Sequence, residues 1–521
     1  MAALRDRIRT LLGRRSDPKT IISVQNDRRL VVTSILFLLL LGLPLWWTTT
    51  RVYRAELPAT EISQFALDQV VPFTFYIDTP MTVTVENIER MAQKLIDKQR
   101  THDLRVRYTA QVRHKTEVPD APGHYTLRLR EAAVGAVDFG VDRVAHVSVS
   151  EADSKKRDAA VAKLVADIVA KEERELREKK GARRALKYAP EYSVTFTLLN
   201  EDPVGGAAVS WDIEQAADIF VRPFADTLRP LAKLAVSTQI LHHAGPPPVT
   251  PLAHDNGTYL TPDMLPHFAN SPWWNLASTD PIAPTISFIL YVPALRSQPL
   301  RIEGSSTNAF VVSQWGGIAI ANLPGTEVGA SVVISRDELQ KYFGIFIAQL
   351  RELVGIRNDT PLIPGTRVSL QRATATGISS WELDALMRQW MVANHQTAIT
   401  TLQSLVRLVE SMENMVVMDE IKVQVDQSLS ALRSIPQALS SGNQLLAFEL
   451  AANASYFAEG AFFDPSMVSL LYFPDQHKYA IYLPFFLPVT IPLLAAIKKA
   501  IRRDSPQNDS KPDVPDDKKN E

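Results

Sequence analysis

The sequence predicts an α+β protein, a mixed α/β front and a helical back forming one luminal domain between two transmembrane helices. Three observations predict it. Two uncharged runs, residues 30–47 and 479–497, stand near the ends of the chain, and a helix of either spans roughly 30 Å, the thickness of a bilayer's hydrocarbon core. Basic residues flank each run on its outer side, the sign that normally stays cytosolic. Between the runs, short alternating segments precede long ones of helical period.

Residues 1–29 are a cytosolic basic tail with eight Lys or Arg against three acids. Residues 30–47 follow as the first transmembrane helix, with Trp46 and Trp47 placed for the far interface. A cleaved signal peptide is the competing reading; its apolar region is usually shorter, and no small-x-small site precedes Arg51.

Residues 48–244 are a luminal α/β region. Val71 to Ile77, Leu104 to Val112, Tyr125 to Arg130, Val144 to Val149 and Tyr192 to Leu199 alternate as strands, and Glu86 to Arg100 reads as a helix. Residues 151–187 carry twelve basic and eight acidic residues among alanines, which predicts a helix facing solvent. Asp212 to Ile240 reads as helical stretches interrupted at Pro223 and Pro230. Residues 245–299 hold eleven of the 34 prolines and read as an extended, surface-wrapping connection with one buried strand, Ile286 to Val292.

Residues 300–478 are luminal α+β, helical toward the end. Ser335 and Glu338 have capping-box spacing before a helix over about 336–355, and Ser379 and Glu382 repeat it. Leu402, Leu405, Val409, Met412 and Val416 continue an apolar stripe, and the helical pattern runs to about Phe457 with a break near 434–442. Residues 479–497 are the second transmembrane helix, carrying Pro484, Pro488 and Pro492, and 498–521 a cytosolic tail that opens on Lys498, Lys499, Arg502 and Arg503. Prolines at that spacing free carbonyls that neighbouring helices can satisfy, so the span is expected to pack against partners.

Fifty-six basic residues balance 57 acidic ones, so no polyanion footprint is present and nucleic acid is not an expected partner. The chain has no cysteine, which excludes disulfides, thiolate metal sites and a cysteine nucleophile. No phosphate loop, nucleophile elbow or dinucleotide fingerprint occurs, and no cofactor is expected. His242, His243, His254 and His267 cluster in sequence without ligand spacing, so no metal site is assigned; Glu382 and Asp384 do not share a helix face, and no catalytic residue is assigned. Asn256, Asn358 and Asn453 head luminal glycosylation sequons, while Asn508 heads one on the cytosolic side. Phe462 to Phe473 is the candidate entry to the second span: Phe462, Phe463, Asp464 and Pro465 make an aromatic turn outside the bilayer that can dock on a partner or pack on its own domain.

Several blocks in order resemble the PIG-S family. They are Gly42-Leu43-Pro44-Leu45-Trp46-Trp47, Tyr53-Arg54-Ala55, Leu57-Pro58, Phe288 to Pro293, Thr307-Asn308-Ala309-Phe310, Trp315-Gly316-Gly317-Ile318, Ala348-Gln349-Leu350-Arg351, Gly355-Ile356 and Trp381-Glu382-Leu383-Asp384. The most similar part is Ala461-Phe462-Phe463-Asp464-Pro465-Ser466, Leu470 to Asp475, Ala480-Ile481-Tyr482-Leu483-Pro484 and Phe486-Leu487-Pro488. Little aligns over 100–190 or the proline tract. The resemblance implies a non-catalytic structural subunit of the glycosylphosphatidylinositol (GPI) transamidase complex in the endoplasmic reticulum membrane. It also implies contact with membrane lipid and with other subunits, one of them a cysteine-protease-like catalytic subunit. A membrane-tethered luminal hydrolase and a luminal scaffold of an unrelated membrane complex are the alternatives.

Overall fold

A computed structural model of the chain describes residues 30–503, except 43, 46–47, 49–52, 66–68, 82, 100–105, 116, 133–134, 150–152, 180–185, 245–247, 255–256, 270–273, 275, 277–282, 324–326, 357–366, 372, 413–414 and 470–474. It falls into two compact units. One is drawn from Met1–Ala59, Gln403–Gln424 and Gly460–Glu521, the other from Thr60–Leu402 and Val425–Glu459.

The larger unit opens with a short helix, α1 (Ala59–Gln64), and the strand β1 (Gln69–Asp78). Val71, Phe73, Thr74, Phe75, Tyr76 and Ile77 are all buried, so both faces of β1 are covered. Helix α2 (Val85–Gln99) buries Val85, Ile88, Ala92 and Ile96, the steps of three and four that make one apolar stripe. Strand β2 (Val106–His114) then returns parallel to β1, completing a βαβ unit. β3 (His124–Glu131), β4 (Ala136–Phe139), β5 (Val144–Val149) and the later β16 (Arg367–Leu370) complete a six-stranded sheet of order β16-β4-β5-β3-β1-β2. All neighbours are parallel except β4 and β5.

Helix α3 (Ser154–Lys179) corrects the expected solvent-facing helix. Val161, Ala162, Leu164, Val165, Ala166, Ile168, Val169 and Ala170 are buried, with Arg157, Asp158, Asp167 and Glu173 beside them. Composition averaged over 151–187 hides an Ala/Val/Leu/Ile centre within charged ends.

A second sheet has the order β13-β14-β11-β6-β8. Its interior strand β6 (Glu191–Asn200), next to the edge, is buried almost throughout, and a two-residue-spaced set on one face, Val194, Phe196 and Leu198, is inaccessible. After β7 (Ala208–Trp211) come α4 (Ile213–Ala216), a π-helical turn Ala217–Val221 and α5 (Arg222–Leu228), which has proline in its first turn. The wider π turn accommodates Pro223, which has no N–H to donate. The sequence reading carried helix to Ile240, but helix stops at Leu228 and Lys233–His242 is strand β8, parallel to β6. Pro230 ends the helix, and β-branched Val236, Thr238 and Ile240 then recur on one face of an extended chain.

The proline tract also departs from expectation. β9 (Leu252–His254), β10 (Gly257–Leu260) and, later, β12 (Leu300–Ile302) form a small sheet, followed within the tract by α6 (Leu265–Ala269). Leu260, Phe268 and Trp274 are core, packed with Leu199, Ile289 and Tyr291; the Phe268 ring lies 5.1 Å from that of Tyr291. The expected buried strand is β11 (Thr285–Val292), parallel to β6. β13 (Ala309–Val312) and β14 (Gly316–Ile320) finish the sheet, and β15 (Ser331–Ile334) pairs with β7.

Helix α7 (Arg336–Val354) has the expected capping box at Ser335 and Glu338 and ends at left-handed Gly355, φ 99°. Its Phe343 and Phe346 pack on Phe196 and Phe288 of the sheet, with ring centroids 5.1 to 5.8 Å apart. The helical back is α8 (Ser380–Ser411), α9 (Asp419–Ser440) and α10 (Gln444–Phe462). The stripe expected to run on through Met412 and Val416 instead ends with α8 at Ser411. Chain direction reverses again after Ser440, where Gly442 takes φ 80°.

The smaller unit contains α11 (Pro465–Ser469), α12 (Asp475–Arg503) and helical chain over 30–42. Pro484, Pro488 and Pro492 lie inside α12. Among the described residues no helix is long and apolar enough to cross a membrane. Both terminal helical segments nevertheless leave large apolar side chains exposed, Phe37, Leu38 and Leu40 in the first and Leu483, Phe485 and Leu494 in the second.

Candidate docking site

The smaller unit is built around a clamp. Arg54 pairs with Val417 in an isolated parallel bridge, the Ala55 N–H donates to Val417 O at 2.9 Å, and the Val417 N–H donates to Tyr53 O at 3.3 Å. The Arg54 guanidinium donates to Met415 O at 3.0 Å and to Met412 O. Those carbonyls follow the C-terminus of α8, where a cation meets the negative end of the helix dipole. The Tyr53 hydroxyl donates to Asp419 Oδ1 at 2.8 Å, and that hydrogen bond raises the Tyr53 hydroxyl above its ordinary range. Residues 53–55 thus stitch the chain leaving the first apolar run to the turn between α8 and α9.

The aromatic turn lies in the same unit. Phe462 is half-buried at the end of α10, and Phe463 is 73% exposed with its ring edge-on to Phe462 at 5.0 Å. Asp464 builds the turn: its Oδ1 accepts from Ser466 N–H at 2.9 Å and its carbonyl from Met467 N–H at 3.2 Å. Pro465 takes the first helical position of α11, where a missing N–H costs nothing. Phe463 therefore projects from a rigid corner and finds no cover within the described chain. The end of the expected docking segment Phe462 to Phe473, from residue 470, lies outside the described residues.

Comparison with known proteins decides the family. The PIG-S family, described as "Phosphatidylinositol-glycan biosynthesis class S protein", matches residues 33–505. The chain belongs to the PIG-S family. It is 32% identical to the human "GPI-anchor transamidase component PIGS" over 92% of this chain and 96% of that protein. The fission yeast (Schizosaccharomyces pombe) "GPI transamidase component PIG-S homolog" is 28% identical, over 91% and 84% respectively. The Saccharomyces cerevisiae "GPI transamidase component GPI17" is 25% identical, over 87% and 88%.

In this PIG-S family member the other sequence candidates scatter. Asn256 and Asn358 lie outside the described residues. Asn453 is exposed in mid-α10, with the Ser455 of its sequon buried. His242 closes β8 and His243 follows it in a bend, and His267 is exposed on α6; among the described residues no group of three His, Cys, Asp or Glu could hold a metal ion. Glu382 and Asp384 go to different partners. Burial alone would raise the Glu382 carboxyl, but hydrogen bonds from Arg351 and from the Ser379 N–H hold it below the usual range.

Asp384 belongs to a buried polar girder that sequence reading missed. It accepts from Arg143 Nη2 at 2.7 Å and Nε at 2.8 Å, and from the Tyr125 hydroxyl at 3.1 Å. Arg388, one turn further along α8 and 1% exposed, donates to the Tyr125 hydroxyl at 2.8 Å, to Gln444 at 3.3 Å and to both oxygens of Glu172. Its guanidinium also lies 4.5 Å from the Phe73 ring centroid. The girder ties the six-stranded sheet to α3, α8 and α10. The only sequence signal was two polar residues four apart on a helix, too common to single out.

Proposed function

We propose that the chain is a non-catalytic, structural subunit of the GPI transamidase complex, needed for attaching GPI anchors to the C-termini of precursor proteins in the endoplasmic reticulum. The observation that carries the proposal is end-to-end similarity to proteins named as components of that enzyme. A component without cysteine cannot supply a thiol nucleophile, so the catalytic cysteine is assigned to another chain. In this reading residues 30–47 and 479–497 cross the membrane, both termini are cytosolic, and the body between them is luminal. Exposed apolar side chains on both terminal helical segments support the two spans, since such surface is costly in water and neutral in lipid. The contribution to catalysis is positional: holding the precursor's carbonyl near a lipid-borne amine raises effective concentration. Phe462 and Phe463 dock on a neighbouring subunit or the membrane interface.

The test is depletion of the native subunit and complementation with this chain. Attachment of GPI to a reporter precursor should fail on depletion, with the catalytic cysteine subunit present at its normal level, and return on complementation. Normal attachment in depleted membranes would refute the role. A glycosidase-sensitive mass shift that Asn256→Gln abolishes fits the topology, whereas a glycan on Asn508 would reverse it.

A further inference from the structure

The two large sheets end in four edge strands, and three are protected. At β2, α2 side chains cover outward backbone donors: Val112 N–H donates to Glu89 Oε2 at 2.9 Å and Ala110 N–H to Gln93 Oε1 at 3.4 Å. β16 is four residues long and opens on Arg367. β13 is also four residues long, and Gln349 Nε2 donates to its Phe310 carbonyl at 3.0 Å. Short length, charge and covering side chains are the devices by which sheets avoid unwanted pairing.

The fourth edge, β8, carries a charge only at its opening Lys233 and, among the described residues, is neither short nor covered. It runs ten residues in unbroken parallel register with β6, from Glu191↔Lys233 to Asn200↔His242. Residues 234–241 contain no charge and no proline. Lys233 N–H donates to Pro190 O at 2.9 Å, so residue 233 turns its backbone groups toward β6. Direction alternates along a strand, and the odd residues to 241 therefore face β6. Leu234, Val236, Thr238 and Ile240 send N–H and C=O away from the sheet, and among the described residues nothing receives them. Their side chains share one face, on which Val236 is 41% and Ile240 38% exposed.

We infer that β8 is an interaction edge that accepts an extended strand of another subunit, extending the five-stranded sheet by β-augmentation. The chemistry of the edge defines the strand it takes. Main-chain donors and acceptors on alternate residues require an extended backbone. An eight-residue stretch without charge requires an uncharged partner segment, because an unpaired charge laid along it would be desolvated without compensation. The face bearing Val236, Thr238 and Ile240 selects β-branched or apolar side chains on the matching face of the partner. This inference rests on the reading of the chain as a subunit of a complex.

Backbone deuterium exchange tests it, with full-length chain in detergent purified alone and within the transamidase complex isolated through a tag on this chain. In the complex the amides of Leu234, Val236, Thr238 and Ile240 should exchange at least tenfold more slowly than in the chain alone; those of Ala235, Ser237, Gln239 and Leu241 should be slow in both. Thr238→Pro removes an outward N–H and no bond to β6. It should lower co-isolated subunits at least tenfold while the odd amides stay protected, and the pair Val236→Lys and Ile240→Lys should do the same. An intact complex with fast even-numbered amides, or with unaltered composition in both variants, overturns the inference and leaves the subunit reading standing. Protection that appears in the chain alone and grows with its concentration assigns the edge to a second copy and overturns the heterologous strand. Isolation of the unaltered chain without any other subunit overturns the subunit reading and this inference together.

Discussion

The guanidinium of Arg388 shows how much depends on partners outside its own helix. Buried among Phe73, Tyr125 and Gln444, it forms its ion pair, among the described residues, with Glu172. Glu172→Gln should destabilise the chain by about 3–5 kcal/mol, because it leaves a buried cation uncompensated. Replacing Arg388 and Glu172 together by Met and Leu should recover most of that loss in urea unfolding of the detergent-solubilised chain. His395, 3% exposed, gives the pH prediction: burial holds its pKa at about 4 against an ordinary value of 6.5. Between those values the unfolded chain binds a proton that the folded chain refuses. Stability is therefore complete above pH 6.5 and falls as pH drops toward 4, by up to about 3 kcal/mol. His395→Asn should flatten the urea-midpoint profile over that window, and an unchanged slope would assign it to other groups. Sequence alone marks neither residue, since Arg and His on a helix are mostly solvent-facing and their burial is set by strands and helices far away in the chain.

At the level of elements, legibility followed local chemistry. The capping box at Ser335 and the left-handed stop at Gly355 are local signals, and α7 begins and ends where they stand. Ser335→Ala and Gly355→Ala should each cost about 1 kcal/mol and speed amide exchange chiefly in the first or last turn of α7. β1, β5, β6 and β11 were readable because alternation or a continuous apolar run is periodic over a few residues. β8 was not, since proline-interrupted helix and edge strand compete on weak propensities there, and pairing with β6 decides it. The centre of α3 was misassigned for a related reason: average charge says nothing about which turns the sheet covers. The proline tract became core because two aromatic residues, Phe268 and Trp274, outweigh the irregular backbone that carries them.

For the whole molecule, the decisive feature is that the smaller unit gathers residues from both ends of the chain and from the α8–α9 turn. Tyr53 and Arg54 were legible only as part of a family resemblance; the structure makes them the clamp on that turn. Phe463→Ser should leave the unfolding midpoint almost unchanged, within about 0.5 kcal/mol for an exposed side chain. It should nevertheless reduce the other subunits recovered with the chain while membrane insertion stays normal; full recovery would reduce Phe463 to an incidental exposed ring. By itself the sequence determined the mixture of helix and strand, the two uncharged runs with basic flanks, the absence of any thiol, and the helices and strands whose periods are local. These follow from residue type and spacing, which act over a few residues. Only the tertiary structure decided which polar residues are buried as the Arg388 girder, that 233–242 is an unprotected edge, and that residues 53–55 grip residues 412–419. Each of those joins segments tens to hundreds of residues apart, and a contact that the chain must close a long loop to make leaves no periodic trace in the sequence.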